Sequence, residues 1–252
     1  MTTPTYVGGH ALLDGKTVLV TAAAGTGIGL ATAKRCLEEG ATVVLSDKHE
    51  RRLAETAEAL GVLGVPCDVT DELAVRALFA QAAEALGGID VVVNNAGLGG
   101  TAELHEMSDE QWASVLDVTL TGTFRCMRTA LNHMYARGRG VVVNNASIVG
   151  WRAQAGQAHY AAAKAGVMAL TRSAAMEAAP RGVRVNAVAP SLAVHEHLAK
   201  VTTQELLDEL ATREAFGRAA EPWEVANVIV FLASDYSGYM TGEVVSVSGQ
   251  HP

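Results

Sequence analysis

The chain of 252 residues is poor in the residue types that mark disulfide-rich, metal-clipped or low-complexity proteins. It holds only 6 prolines and 3 cysteines, and Cys36, Cys67 and Cys126 stand far apart with no C-x-x-C pair. A disulfide framework, a cysteine-based zinc site and a low-complexity chain are therefore not expected. No uninterrupted run of about 18 apolar residues occurs, so no membrane-spanning segment is predicted.

Basic side chains are also scarce, since 19 lysines and arginines face 27 acidic residues and leave a net charge of -8. A surface of that sign repels phosphate backbones, so no nucleic-acid partner is expected. The first residues lack the basic cluster and apolar stretch of a signal peptide, and the predicted location is cytoplasmic. His195 and His197 have no third ligand at a suitable spacing, so no metal site is predicted.

Apolar residues make up 49% of the chain and fall into two alternating kinds of run. Short β-branched runs alternate with longer alanine- and leucine-rich stretches of helical spacing. This pattern predicts an α/β fold, a single Rossmann-type doubly wound parallel sheet of about seven strands flanked by helices, over residues 1–252. Strands are predicted at residues 17–21, 42–46, 62–66, 90–94, 140–145, 183–188 and 243–247. Helices are predicted at residues 28–39, 50–60, 72–86, 109–134, 159–179 and 222–233. The segment 192–218 falls outside the alternation and is predicted to be a substrate lid.

A glycine-rich turn, residues 21–29, links the first predicted strand to the first predicted helix. Small residues there let the backbone approach a pyrophosphate, which the helix N-terminus then stabilises through free N–H groups and a positive dipole end. The alternative is a tight turn that merely needs small residues. The residues of this turn predicted to bind a dinucleotide are Thr21, Gly25, Thr26, Gly27, Ile28 and Gly29.

Asp47, at the end of the second predicted strand, indicates which dinucleotide the turn binds. An acid at this place accepts hydrogen bonds from both ribose hydroxyls of NAD and repels the 2′-phosphate of NADP, so NAD is favoured. Lys48, Arg51 and Arg52 follow closely and either form a solvated helix face or tolerate NADP. Asp68 follows the third strand and is predicted either to lie near the adenine or to cap the next helix.

A candidate catalytic group comprises Ser147, Tyr160 and Lys164. Tyr160 and Lys164 are four residues apart, so on a helix they share one face. A neighbouring ammonium favours the phenolate, which lowers the tyrosine pKa and lets Tyr160 exchange a proton with an alcohol or a carbonyl. Ser147, at a strand end, would orient the substrate oxygen. The alternative is an ordinary surface pair on a helix, which the serine and the upstream turn argue against.

Together these motifs resemble the short-chain dehydrogenase/reductase family over nearly the whole chain. The resemblance implies a nicotinamide cofactor, hydride transfer and a homotetramer built on the long helices. It also implies that Lys164 and Tyr160 contact the cofactor. Further residues that it places around the cofactor are Asp68, Val69, Asn95, Ala96, Gly97, Val188, Pro190 and Ser191.

The chain departs from the family pattern at four places. The glycine-rich turn has one extra residue, with Ala22 where the family has glycine. Thr119 stands where the family has a catalytic asparagine that holds a water in the proton relay. Ser191 replaces a glycine, and His195 replaces a threonine that contacts the carboxamide of the cofactor. Either the nicotinamide end of the cofactor is held differently here, or His195 faces the substrate.

A subgroup of the family is similar over further stretches, residues 22–29, 46–53, 144–154, 159–172, 215–225 and 246–252. Its members are dehydrogenases of bacterial steroid degradation that act on coenzyme A thioesters of a hydroxylated indane. This similarity implies oxidation or reduction at a ring hydroxyl, with an acyl-coenzyme A as the small-molecule substrate. Trp151, Arg152 and Gln154 follow the serine closely and are predicted to contact that substrate, or else to pack and be solvated. The alternatives are a 3-oxoacyl reductase, which would prefer NADPH, and a dinucleotide-binding sensor without catalysis.

Overall fold

The structure is a computed structural model that describes residues 5–194 and 204–249. Its strands are β1 (Thr17–Thr21), β2 (Thr42–Asp47), β3 (Leu63–Pro66), β4 (Val91–Asn94), β5 (Gly140–Asn145), β6 (Val183–Pro190) and β7 (Val244–Val247). They form one parallel sheet in the order β3-β2-β1-β4-β5-β6-β7. The predicted doubly wound sheet of about seven strands is confirmed.

Helices cover both faces of the sheet. They are α1 (Ile28–Glu38), α2 (Glu50–Leu60), α3 (Glu72–Leu86), α4 (Asp109–Leu116), α5 (Gly122–Arg137), α6 (Ala158–Ala178), α7 (Gln204–Thr212) and α8 (Pro222–Ala233). One apolar cluster joins the sheet to α1 and α8, and a second joins it to α3, α5 and the end of α6. Because both faces are buried, the strands are almost continuously apolar, which is why their positions can be predicted.

The helix predicted over residues 109–134 is present without a break, but it is not α-helical throughout. A π-helical segment, Asp117–Thr121, separates α4 from α5, and α5 continues to Arg137. Such bulges insert an extra residue into the helical ladder and occur often at functional sites. Thr119 lies at the middle of this segment and is completely buried.

The N-terminal segment, residues 5–13, is tied to the end of α1. The carboxylate of Glu39 is completely buried, accepts hydrogen bonds from the backbone N–H groups of His10 and Leu12, and is paired with Arg35 at 2.6 Å. Arg35 also donates to the carbonyl of Val7, and its guanidinium lies over the Tyr6 ring. This buried ion pair therefore anchors residues 5–13, a segment that forms neither helix nor strand.

The predicted lid, 192–218, contains α7, whose Leu207 is buried. Ala193 forms a parallel bridge with Ala220, so the two ends of the segment lie side by side. Residues 195–203 lie outside the described residues, and with them His195. No helix in the described ranges is long and apolar enough to cross a membrane.

Candidate active site

The predicted site residues gather at the carboxyl ends of the parallel strands. Thr21 ends β1, Asp47 ends β2, Asn95 follows β4 and Ser147 follows β5. Because the chain turns to opposite sides after β1 and β4, a crevice forms between them, where ligands bind in open α/β sheets. One edge of the sheet thus brings together motifs that are more than 100 residues apart in the sequence.

The glycine-rich turn is tightly held against the sheet. The carbonyl oxygen of Ala22 accepts a hydrogen bond from Asn95 Nδ2 at 3.1 Å, and the Thr21 hydroxyl accepts from the backbone N–H groups of Asn95 and Ala96. A Cβ atom at Gly29 would lie 2.3 Å from the Ala22 oxygen and 2.5 Å from Asn95 Nδ2. Only glycine fits there, so this glycine closes the turn against β4.

The extra residue of the turn is accommodated in an unusual backbone conformation. Ala22 has φ 51, in the left-handed region that favours glycine. Gly27 precedes α1 with extended dihedral angles, and no side chain in the described part of the chain caps this helix. No N-cap side chain therefore accepts hydrogen bonds from the first N–H groups of α1. Free N–H groups at a helix N-terminus are the donors that bind a pyrophosphate. The residues present therefore fit a dinucleotide.

Asp47 is buried and holds the same turn from the other side. Its Oδ2 accepts a hydrogen bond from the Ala24 N–H at 3.2 Å, and its Oδ1 accepts from the His49 N–H at 3.0 Å. Each carboxylate oxygen has a second lone pair, so each can still accept a hydrogen bond from a hydroxyl group. Lys48 is exposed, and Arg51 is exposed and paired with Glu55.

Asp68 does not cap α3, so that alternative is wrong. Asp71 is the N-cap and accepts from the N–H groups of Leu73 and Ala74. Asp68 Oδ1 instead accepts from the backbone N–H and the hydroxyl of Thr70, and these bonds hold the pKa of Asp68 below its usual range. Asp68 remains exposed, whereas its neighbour Val69 is buried in the core.

Ser147, Tyr160 and Lys164 are brought together by β5 and α6. The Lys164 ammonium lies 5.5 Å from the Tyr160 ring centroid and donates to the carbonyl of Asn145 at 2.5 Å. Ser147 lies close enough to Tyr160 for its hydroxyl to lower the pKa of that phenol, and the same hydroxyl is 3.5 Å from the carbonyl of Pro190. A hydroxyl, a phenol and an ammonium gathered at one end of the sheet are suited to proton exchange with an alcohol or a ketone.

Burial dominates the titration of this group, and the expectation that Lys164 lowers the pKa of Tyr160 is wrong for this geometry. Burial raises the pKa of Tyr160 to about 12, against a smaller opposing effect of the Ser147 hydrogen bond. Burial also lowers the pKa of Lys164 to about 8. Both shifts disfavour charge, since a low-dielectric surrounding penalises the ionised form of either group. Tyr160 is therefore a proton donor in this state of the site.

Thr119 lies near the catalytic group, and its hydroxyl makes two hydrogen bonds to the backbone of Leu98. It donates to the carbonyl of Leu98 at 3.1 Å and accepts from the Leu98 N–H at 2.9 Å. The hydroxyl therefore clamps the loop after β4, and its donor is not free to hold a water. Gly97, in the same loop, lies against Lys164, with 3.4 Å between its ideal Cβ position and Nζ.

The predicted substrate residues lie on the loop between β5 and α6. Trp151 is half-exposed, while Arg152 and Gln154 are partly buried. Ala102 donates to the carbonyl of Gly156, so the loops after β4 and β5 are joined above the site. The sequence analysis does not predict Asn145 as a site residue. The signal that could have found it is the pair of polar residues, Asn144 and Asn145, at the end of an otherwise apolar strand.

In the described ranges no cluster of three metal-ligating side chains occurs. The fold and site are those of a nicotinamide-dinucleotide oxidoreductase with a Rossmann sheet and a Ser-Tyr-Lys group. A family model described as enoyl-(acyl carrier protein) reductase matches residues 22–249. The chain belongs to the short-chain dehydrogenase/reductase family, whose members are oxidoreductases that use a nicotinamide dinucleotide.

Relatives of known name extend this assignment. The chain is 61% identical over 256 residues to a (5R,7aS)-5-hydroxy-7a-methyl-1-oxo-2,3,5,6,7,7a-hexahydro-1H-indene-carboxyl-CoA reductase of Mycobacterium tuberculosis, covering 99% of this chain and 98% of the relative. It is 44% identical to a cis-4-hydroxycyclohexanecarboxylate dehydrogenase of Sinomonas cyclohexanicum, covering 92% and 95%. A crystal structure of a short chain dehydrogenase from Mycobacterium smegmatis superposes with TM-score 0.89 at 56% identity, covering 100% and 99%.

Proposed function

We propose that the chain is a single-domain, NAD-dependent enzyme that interconverts a ring hydroxyl and a ketone on a steroid-derived indane acyl-coenzyme A. The observation that carries this proposal is the Ser147–Tyr160–Lys164 group in a chain so similar to the indene-carboxyl-CoA reductase. The cyclohexane-ring dehydrogenase supports a cyclic alcohol as the reacting group. A 3-oxoacyl reductase of fatty-acid type has less support than this cyclic substrate.

In the proposed mechanism a dinucleotide supplies or accepts a hydride when it is bound. The glycine-rich turn and the start of α1 hold its pyrophosphate, and Asp47 accepts hydrogen bonds from its adenine ribose. Thr21 and Asn95 shape that turn. The residues proposed to complete the binding site are Gly25, Thr26, Gly27, Ile28, Gly29, Lys48, Asp68, Val69, Ala96, Gly97, Pro190 and Ser191.

Proton exchange is proposed to occur at the Tyr160 hydroxyl. In the reducing direction this hydroxyl donates a proton to the ketone oxygen, while Ser147 donates a hydrogen bond to the same oxygen. The phenol of Tyr160 is protonated at neutral pH, as its role as proton donor to a ketone requires. Lys164 holds its ammonium beside the Tyr160 ring and is proposed, with Tyr160, to contact the cofactor, and the tyrosinate that forms regains its proton from water.

NAD rather than NADP is proposed because Asp47 is a buried carboxylate at the end of β2, where an acid accepts hydrogen bonds from ribose hydroxyls and repels a 2′-phosphate. The acyl-coenzyme A is proposed to enter beside Trp151, Arg152 and Gln154, which border the joined loops. We further propose a cytoplasmic homotetramer, built on α4 and α5. Their apolar side chains Trp112 and Phe124 are exposed in the single chain, which a subunit contact would bury.

The test is turnover by wild-type enzyme and by Tyr160→Phe, followed by the absorbance of the reduced nicotinamide. NADH and NADPH are each mixed with an indane ketone as its coenzyme A thioester, the free acid, and a straight-chain 3-oxoacyl thioester. Rapid NADH oxidation with the indane thioester, lost in Tyr160→Phe with NADH binding intact, is the expected result. Activity with NADPH and the straight chain would establish the 3-oxoacyl reductase instead. Dinucleotide binding without turnover of any substrate would establish the sensor.

A further inference from the structure

Asn145, the last residue of β5, lies between two parts of the proposed site. Its side-chain Nδ2 donates to Asn95 Oδ1 at 2.9 Å, and Asn95 Nδ2 donates to the Ala22 carbonyl in the glycine-rich turn. Its backbone carbonyl accepts from Lys164 Nζ. A continuous series of hydrogen bonds thus runs from the turn through Asn95 and Asn145 to the catalytic lysine.

The orientation of both amides follows from this series. Asn95 uses its Nδ2 on the Ala22 carbonyl, so its Oδ1 faces Asn145, which must present Nδ2 in return. The Oδ1 of Asn145 is then buried with no hydrogen-bond partner in the described part of the chain. An unpartnered buried oxygen destabilises the fold, and leucine, of similar size, would avoid it. The amide is thus retained at an energetic disadvantage.

The preceding residue provides a comparison within the same strand. Asn144 is completely buried and points to the opposite face of the sheet, where it accepts from Asn94 and donates to Thr171. The hydrogen bonds of its side chain in the described part of the chain go to Asn94, Met127 and Thr171, and so to neither the glycine-rich turn nor Lys164. Asn144 and Asn145 are therefore adjacent residues of one type on one strand, but only the Asn145 side chain hydrogen-bonds a residue that holds the glycine-rich turn.

We propose that Asn145 is a positioning residue that couples the dinucleotide-binding turn to Lys164. By fixing Asn95 it holds the Ala22 carbonyl in place, and through its own backbone it sets the position at which the lysine ammonium is held. A displacement of the glycine-rich turn is thereby transmitted to Lys164, and a displacement of Lys164 to the turn. The inference rests on the proposed roles of the turn and of Lys164.

The experiment compares Asn145→Leu with the matched control Asn144→Leu. For each folded protein we would measure the Kd for NADH by fluorescence titration, kcat and KM with the proposed indane substrate, and the melting temperature. Removing the amide of Asn145 should raise the Kd about fivefold and lower kcat by a similar factor, with substrate KM unchanged, because one hydrogen bond positions both elements. Asn144→Leu should lower only the melting temperature.

A double variant tests whether the two amides act as one unit. If they do, Asn95→Leu combined with Asn145→Leu raises the Kd no more than the larger single effect. If Asn145→Leu does not fold, Asn145→Ser is measured instead. If the control Asn144→Leu does not fold, Thr171→Val is the control. Wild-type Kd and kcat in the Asn145 variants, or equal changes in the control, would overturn the inference. Failure of the wild-type enzyme to bind any dinucleotide would instead refute the proposed function.

Discussion

Lys164 is a cation that the fold holds almost entirely out of water. Burial lowers its pKa from 10.5 to about 8. The unfolded chain therefore binds the proton more tightly than the folded protein, so the unfolding free energy rises with pH between about 8 and 10.5. Below that window both states are protonated, and the full cost of the buried charge remains.

Replacing this lysine by methionine should show the cost directly. Lys164→Met removes the charge but keeps much of the apolar stem, so its melting temperature relative to wild type should be highest near neutral pH. The difference should decrease towards pH 10, as the wild-type lysine loses its proton. Thermal melts of both proteins across this range provide the measurement. A difference independent of pH would show that Lys164 is not titrating where burial places it.

Asp47 also combines two tasks in one side chain, since it holds Ala24 and carries the proposed selectivity for NAD. Asp47→Asn removes the charge while keeping an oxygen that accepts from the Ala24 N–H. We expect the preference for NAD over NADP, measured as the ratio of kcat/KM values, to fall by about tenfold, because the repulsion of the 2′-phosphate is lost. Arg76→Ala, on an exposed side chain of α3 that is not placed at the cofactor, serves as the control. An unchanged ratio would place the selectivity elsewhere.

The π-helical segment carries the side chain that holds the loop after β4 in place. Thr119 clamps Leu98 from it, and the adjoining Gly97 lies against Lys164. Thr119→Val should therefore reduce kcat by about tenfold or more through displacement of this loop. The unfolding free energy should fall by about 1–3 kcal/mol, because Leu98 loses both hydrogen bonds.

Thr119→Ser, which keeps the hydroxyl, is the matched variant and should retain most of the activity. Steady-state kinetics and urea unfolding of the two variants separate the hydroxyl from the methyl group. Equal losses in both would assign the effect to packing of the methyl group instead.

For the molecule as a whole, the anchor of the N-terminal segment should govern behaviour in acid. Burial opposes ionisation of Glu39, but the N–H groups of Leu12 and His10 and the Arg35 guanidinium hold its pKa below the usual value of 4.5. Its contribution to stability is thus complete above about pH 4.5 and is lost as the pH falls through the lower folded value.

Glu39→Gln should be less stable than wild type by about 3–5 kcal/mol at neutral pH, because Arg35 would remain buried without its partner. The difference should shrink below about pH 4, where the wild-type carboxylate is protonated as well. Urea unfolding at both pH values gives the two free energies. If the gap persisted in acid, the carboxylate charge would not be what anchors the segment.

Much of the fold could be predicted because both faces of the sheet are buried, which makes each strand a continuous apolar run. The motifs of the site could be predicted because their spacings are local. The π-helical segment could not, since the contact of Thr119 with Leu98 joins residues that are not neighbours in the sequence. The pKa direction of Tyr160 was missed for a similar reason. Its nearest charge is visible in the sequence, but its burial is not.

The glycines of the turn differ in what a methyl group would meet. At Gly29 it would strike the Ala22 carbonyl and the Asn95 amide, whereas at Gly25 the nearest atom lies 4.0 Å away. A saturation library scored for folding alone would therefore reject substitutions at position 29 and tolerate alanine at position 25. Scored for dinucleotide capture, the same library would lose position 25 as well. Positions that tolerate substitution in the folding score but not in the dinucleotide-binding score would identify the surface that contacts the ligand.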